Sequence, residues 1–97
     1  MRILAGLFEG LESQTPYGGR AISWEPLGSA WLKIGPRLRR EKSEAGGARV
    51  IELMTAEARA DLRLIPERVL RFGGADWTIR SVETVGGRAI INLERSA

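Results

Sequence analysis

Apolar and polar residues alternate along several stretches of the chain with a period of two, which is typical of half-buried β-strands. The clearest stretch is 56–64, where alanine or leucine occupies every even position and a charged residue every odd one. Apolar residues at this spacing do not form the face of a helix, and Pro66 follows as a terminator. The pattern therefore predicts a half-buried strand over 56–64.

The C-terminal third of the chain predicts a three-stranded antiparallel meander. Gly73-Gly74 and Gly86-Gly87 divide it, and glycine pairs supply the positive φ angles that tight hairpins need. The segments between them are apolar, rich in β-branched residues, or alternating. The predicted strands are 69–72, 77–85 and 88–94. Trp77, a large ring that opens the second of them, is predicted to lie in the core.

Two further strands are predicted near the N-terminus. The first has Leu7, Glu9 and Leu11 on one side, and the second is "SAWLKI", residues 29–34, with Trp31 and Ile34 in the core. Residues 15–27 between them contain two prolines, Pro16 and Pro26, and the glycine pair Gly18-Gly19. They predict a long first loop, and loops of such length are usually functional.

The polar middle segment, "RLRREKSEAGGARVIELM", has two interpretations. One is a short helix that begins near Pro36 and stops at Gly46. The other is a long hairpin with Gly46-Gly47 at its tip. Residues 39–44 have no apolar face, so neither form would pack deeply, and a mobile polar segment is expected. Residues 48–54 are predicted to be extended, with Val50 and Ile51 inside.

Length and composition limit the function classes. The 97 residues predict one domain, 1–97, without a run of the roughly 20 apolar residues that cross a bilayer, and the N-terminus is untypical of a signal peptide. The absence of cysteine and histidine excludes disulfides, thiolate metal sites and Ser-His or Cys-His catalysis. No acids are paired for metal binding or catalysis, so we expect no enzyme and no cofactor. A net charge of +3 is a weak indication of acidic partners.

The first candidate site is the aromatic segment "TPYGGRAISW". In one interpretation its rings fold back onto the body of the domain. In the other it projects as an anchor for another subunit, because Tyr, Trp and Arg are enriched at interface hot spots. The candidate interface residues are Tyr17, Gly18, Gly19, Arg20 and Trp24.

The second candidate site is a basic cluster that follows Lys33. Its residues could contact the phosphates of DNA or another ring of subunits. Glutamates interrupt the cluster and no aromatic residue lies among the charges to stack on a base, so a solvated face is the favoured interpretation. The cluster comprises Arg37, Arg39, Arg40 and Lys42.

Taken in order, these segments resemble the head–tail joining proteins of tailed bacteriophages and of phage-derived gene transfer agents. The resemblance rests on Tyr17-Gly18 and Trp24 after a first strand, on "SAWLKI", on the polar "RREKSEAGG", on "AEARADLRLIP" and on the C-terminal "RVLRFGGADWTIRSVETVGGRAIINLER". It spans nearly the whole chain and is strongest for the gene transfer agent and alphaproteobacterial prophage branch. The chain departs from the family where Ala58 and Ala60 dilute an arginine-rich strand and where "INL" replaces the closing "LLC".

The resemblance implies a small antiparallel β-barrel with one short helix or long loop. It implies a connector, either stopper or adaptor, in a homo-oligomeric ring that is commonly sixfold. The ring would lie between a portal-bound adaptor and the tail terminator or tail tube, around packaged double-stranded DNA. The protein would assemble in the bacterial cytoplasm and end at the neck of the particle, without catalysis and without a membrane.

Two alternatives remain open at this point. A small OB- or SH3-like nucleic-acid-binding module is favoured by the basic isoelectric point near 10.2 and by the arginine cluster. A carboxylate-dependent enzyme is the weaker alternative, because the chain carries no catalytic motif.

Overall fold

The structure of the protein, a computed structural model, describes residues 2–44 and 47–96, with only the backbone of residues 42 and 44. The described residues form strands and short turns, without a helix. The strands are β1 (Arg2–Gln14), β2 (Arg20–Glu44), β3 (Gly47–Arg59), β4 (Val69–Phe72), β5 (Ala75–Val85) and β6 (Arg88–Ser96). Since no described segment is helical, the structure contains no long apolar helix that could cross a membrane.

The six strands form one antiparallel sheet that closes into a barrel in the order β1-β2-β3-β6-β5-β4. Closure is made by β4, which pairs with β5 on one side and with Gly6, Leu7 and Phe8 of β1 on the other. The predicted meander of β4, β5 and β6 is confirmed. Both of its turns are glycine pairs with positive φ, Gly73-Gly74 and Gly86-Gly87. A closed sheet leaves no edge in the barrel body.

The core is built from alternate positions of the strands. Its largest fully buried side chain is Trp77, which stacks on Phe72 with a centroid separation of 6.1 Å and an interplanar angle of 12°. This confirms the predicted core position of Trp77. The other large side chains that are fully buried are Leu7, Leu32, Leu70, Ile79, Ile91 and Leu93.

β2 is the longest element and bends strongly. At about 3.3 Å per residue its 25 residues would span roughly 80 Å if straight, whereas the longest dimension of the molecule is 46 Å. The pairing register shifts at Leu27, opposite Leu7/Phe8, and again at Gly35-Pro36. These shifts are bulges, and a bulge bends its strand. β2 therefore serves two hairpins, pairing with β1 over its first half and with β3 over its second.

The predicted long first loop over 15–27 is wrong. A tight turn, Thr15–Gly19, joins β1 to β2, and the rest of the segment is strand. Pro16 and Gly18-Gly19 lie in this turn. Pro26, which also indicated a loop, is next to the first register shift, and Pro36, the predicted start of a helix, is inside the second. Proline is tolerated there because a bulge does not require its missing N–H.

The helix that was one interpretation of the middle segment is wrong as well. The alternative, a long hairpin, is confirmed, because residues 37–44 of β2 pair with residues 47–54 of β3. Gly46, the predicted tip, lies outside the described residues. The absence of an apolar face over 39–44 suits a two-stranded ribbon exposed to water on both faces.

At several strand positions the observed burial of the side chain differs from the prediction. The strand predicted over 56–64 ends at Arg59, so Leu62 is 97% exposed, while Leu64 returns to the core. Trp31, predicted to be buried, is 60% exposed, and its neighbour Leu32 takes the core position. Val50, predicted to lie inside, is exposed too. Ile34 is partly buried against the core and Ile51 is buried, as predicted.

Candidate functional site

Two hairpins extend beyond the barrel from the two ends of β2. Residues 9–25 of β1 and β2 pair only with each other, since β1 contacts β4 only at 6–8 and β3 pairs with β2 only from Lys33 onward. We call residues 9–25 the acidic arm, because three glutamates and one arginine give it a formal charge of −2. The second hairpin contains the other end of β2. Because β2 crosses the barrel between its two ends, this hairpin leaves the barrel at the end opposite the acidic arm.

This second hairpin, residues 37–50, is the basic arm. Four arginines and one lysine against two glutamates give it a formal charge of +3. Its two strands pair with each other, and among the described residues β6 joins β3 only from Ile51 onward. Each arm is therefore a two-stranded ribbon with two open backbone edges, a form that readily pairs with another strand.

The tip of the acidic arm is a hydrogen-bonded turn. The Thr15 N–H donates to the Gly19 carbonyl (2.9 Å), and the Gly19 N–H donates to Thr15 Oγ1 (3.0 Å). Gly18 has a φ of 81°, which glycine adopts without strain. The turn presents Tyr17, 98% exposed, to solvent. Four of the five candidate residues, Tyr17 to Arg20, thus lie together at this tip.

The fifth candidate, Trp24, lies lower on the arm and does not enter the core. It pairs with Gly10 across the hairpin and is 47% exposed. Its indole covers Gly10, since a Cβ placed on that glycine would lie 3.1 Å from Cζ3 of the ring. Of the two interpretations of the aromatic segment, the projecting hairpin is the one observed. Its role as an interface stays a prediction.

The outward face of the first hairpin carries more apolar surface than was predicted from the sequence. Leu4 pairs with Trp31, and both are at least half exposed. Further along the same face Phe8 lies over Gly6, and Ile22 follows Trp24 toward the tip. The signal that could have found this stripe is the run Leu4, Gly6, Phe8, Gly10, which alternates out of phase with buried Ala5 and Leu7.

The predicted basic cluster is divided between the two faces of the basic arm. Arg37 and Arg39 point to one face, toward Glu52, at 3.7 Å and 3.6 Å. Arg40 pairs with Ile51 and is exposed on the other face. The side chain of Lys42 lies outside the described residues. Of the four residues in the predicted cluster, Arg37 and Arg39 therefore have a clear structural partner, which is Glu52.

Glu52 organises the base of the basic arm. Its side chain is 4% exposed and also accepts a hydrogen bond of 3.1 Å from Arg95 Nη2. This hydrogen bond, with the positive charges of Arg95, Arg37 and Arg39, lowers the pKa of Glu52 against the opposing effect of burial. A glutamate at an inward position of β3, two residues before buried Met54, was the sequence signal for this cluster.

The same arginines contact the barrel core. The guanidinium carbons of Arg37 and Arg95 lie 5.4 Å and 5.0 Å from the Trp77 ring centroid. Cation–π contacts of this kind add to the attraction of Glu52. The base of the basic arm is thereby fixed to the barrel, and only its outer part extends freely from it.

The opposite end of the barrel has an open depression of about 520 Å³. Arg63 holds its wall: its side chain forms a bidentate pair with Asp61 and donates to the carbonyls of Leu27 (2.9 Å) and Ser29 (3.2 Å). The hydrogen bonds from the Arg63 side chain and then its backbone lower the pKa of Asp61. Within residues 2–44 and 47–96, no group of three or more acidic side chains could hold a metal ion.

Comparison with protein-family models finds no match, and no curated protein matches the chain. The fold is similar to that of a chain in a solved structure of the virion of a native gene transfer agent particle. The two chains superpose with a TM-score of 0.77 and 19% sequence identity, over 98% of this chain and 94% of that chain. At this identity the similarity establishes a shared fold.

Proposed function

We propose that this protein is a structural component of a tailed phage or gene transfer agent particle and acts there as a head–tail connector. The observation that carries the proposal is the shared fold over nearly the full length of both chains, with a virion chain as the neighbour. The sequence resemblance to head–tail joining proteins points in the same direction and supplies the more specific role.

In this proposal copies of the protein form a ring, commonly sixfold in such connectors, that closes the DNA channel and docks the tail. The physical support is the division of the molecule into a small barrel and two arms. A barrel of this size offers little lateral area, whereas arms extend the area available to neighbours. Exposed aromatic side chains on the acidic arm, Tyr17 and Trp24, are suited to anchor such contacts.

The proposed partners are a portal or adaptor ring on the head side and a tail terminator or tail tube on the other. Packaged double-stranded DNA would pass through the channel. Arg40 and Lys42 remain candidates for contact with DNA or the next ring, while Arg37 and Arg39 are partly engaged by Glu52. Assembly in the cytoplasm of the producing bacterium would place the protein finally at the neck of the particle.

The test is electron microscopy of particles from a strain that lacks the gene, beside a complemented strain. We expect DNA-filled or emptied heads without tails together with separate, finished tails. Normal tailed particles would contradict the connector role. The next measurement would then be binding of the purified protein to double-stranded DNA at increasing salt, where a steep loss of affinity would favour a nucleic-acid-binding module.

A further inference from the structure

We propose that two copies of this chain contact each other through unlike arms: the acidic arm of one copy docks along the basic arm of the next. The proposal relies on the connector function only for its biological setting, a ring of copies. The contact itself is a property of the purified protein, and charge, exposed apolar surface and open strand edges support it.

Charge is the first argument. The acidic arm carries −2 and the basic arm +3, and Glu52 offsets one positive charge at the base of the latter. Two acidic arms, or two basic arms, would repel each other at a shared interface, whereas unlike arms attract. A charge separation of this kind within one short chain favours contacts between different surfaces of successive copies.

Apolar surface is the second argument. Ile22 and Trp24 are about half exposed on the acidic arm, and Leu38 and Val50 are 61% and 43% exposed on the basic arm. Each arm thus offers apolar side chains between its charges. Leu38 lies on the Arg40 face of the basic arm, and Val50, which pairs with Glu41, lies on the other face. Contact with either face would remove its apolar side chain, together with Ile22 and Trp24, from water. This burial stabilises association at ordinary salt concentrations, where charge attraction alone is screened.

The backbone edges are the third argument. Among the described residues, 20–25 of β2 in the acidic arm lack a strand on the side away from β1, and 37–44 of β2 in the basic arm lack one on the side away from β3. An exposed edge accepts another strand by backbone hydrogen bonding. Edges on both arms allow the arms of successive copies to join into a continuous sheet.

The positions of the two arms on the barrel determine which kind of assembly the contact forms. The arms leave opposite ends of β2, so a copy that uses its acidic arm on one neighbour keeps its basic arm for another. Contacts between unlike surfaces are heterologous, and they close into a ring or continue as a filament. A ring is the closed form that the proposed connector needs.

The test uses charge reversal in each arm of the full chain. One variant carries Glu12→Lys and Glu25→Lys, the other Arg40→Glu and Lys42→Glu; Arg37 and Arg39 are kept because they hold Glu52. Each variant alone would have arms of like sign and should associate about ten-fold less than wild type, whereas an equimolar mixture restores unlike pairs and should recover association.

Association is measured by thiol cross-linking, which suits weak contacts because the chain has no cysteine of its own. Ser23→Cys reports on the acidic arm and Ser43→Cys on the basic arm. With a short bismaleimide, a mixture of these two single variants should give mixed dimers, fewer at high salt, and little product from either variant alone. The same cysteines are then introduced into the charge-reversed chains, and circular dichroism confirms that all variants are folded.

Three outcomes would overturn the proposal. The first is cross-linking that is as strong within a single cysteine variant as between the two. The second is the absence of mixed dimers at high protein concentration, and the third is no recovery when the two charge-reversed variants are mixed. Tail-less particles from the deletion strain together with any of these outcomes would leave the connector function standing and reject only the arm contact. Normal tailed particles together with mixed dimers would reject the connector function and leave the arm contact standing.

Discussion

Trp24 lies across Gly10 on the neighbouring strand of the acidic arm. A Cβ on Gly10 would lie 3.1 Å from Cζ3 and 3.2 Å from Cη2 of the indole, so the ring packs directly on the backbone of the hairpin. An aromatic side chain over a glycine in the partner strand is a known device for stabilising strand pairs. The indole is therefore held in one position while nearly half of it stays exposed, as an anchor for a partner requires.

The position of Trp24 predicts that Trp24→Ala keeps the fold. Its cost should not exceed about 1 kcal/mol in the free energy of unfolding, the size of one cross-strand pair. Trp77→Ala is the matched comparison and should cost about 3–5 kcal/mol, because it empties the centre of the core. Urea denaturation followed by circular dichroism measures both. Complementation of the deletion strain should show that Trp24→Ala impairs tail joining.

A Trp24→Ala protein that unfolds as readily as the Trp77→Ala protein would contradict this assignment. It would mean that the indole is part of the core and that the acidic arm is not an independent surface. Normal tail joining by a folded Trp24→Ala protein would instead remove Trp24 from the interface.

The end of β3 at Arg59 makes a second prediction, about two leucines in the connection that follows. Leu64 is 3% exposed and belongs to the core, so Leu64→Ala should cost about 2–5 kcal/mol. Leu62 is 97% exposed, and Leu62→Ala should change the free energy of unfolding by less than about 0.5 kcal/mol. Thermal and urea denaturation of the two variants check the difference. Equal losses of unfolding free energy in the two variants would contradict this and support an uninterrupted strand over 56–64.

That connection shows what periodicity can and cannot predict. The alternation over 56–64 correctly places Ala56 and Ala58 inside, but it continues past the point where the strand ends. The Arg63 N–H donates to Asp61 Oδ1 (2.9 Å), which forms a turn in place of strand pairing. The competition between a local side-chain hydrogen bond and the strand is not visible in a period-two pattern.

The meander was predictable for the opposite reason, because glycine pairs mark both of its turns. Proline was a misleading signal in β2: Pro26 indicated a loop and Pro36 the start of a helix, but both lie beside or within bulges in one continuous strand. Bulges depend on partner strands that are distant in sequence. Hence the aromatic residues of the acidic arm were identified from sequence, and its projection was one of two interpretations, but its long strands were not predicted. Neither were Trp31 at the surface and Glu52 beneath the arginines.

Arg63 gives a third prediction, about the first bend of β2. Its guanidinium bonds the carbonyls of Leu27 and Ser29 on either side of Gly28, whose φ is 117°. Arg63→Ala leaves these two carbonyls without their donor and removes the side-chain hydrogen bonds to Asp61, so it should lower the melting temperature. Arg59→Ala, at an exposed position at the end of β3, is the control and should have little effect. Hydrogen exchange should show faster exchange around 26–30 only in the Arg63 variant, and equal exchange in both would contradict the role.

Glu52 gives the last prediction, a dependence of stability on pH. Because the folded state lowers the pKa of Glu52 from its usual 4.5, the folded protein binds this proton less readily than the unfolded chain. The resulting stabilisation is complete above pH 4.5 and is lost as the pH falls through the lower pKa of the folded state. Glu52→Gln should therefore reduce stability at pH 7 and flatten its decline in acid, so that the variant and wild-type curves approach each other at low pH.

Urea denaturation between pH 7 and pH 2.5 or so measures these curves. Some acid sensitivity should remain in Glu52→Gln, since hydrogen bonds from Arg63 and Arg71 also lower the pKa values of Asp61 and Asp76. Glu83→Gln, at an exposed position of β5, is the control and should follow wild type. A Glu52→Gln curve parallel to wild type would show that the arginines at the base of the basic arm are held by Trp77 and not by the carboxylate. The basic arm would then keep its orientation without Glu52.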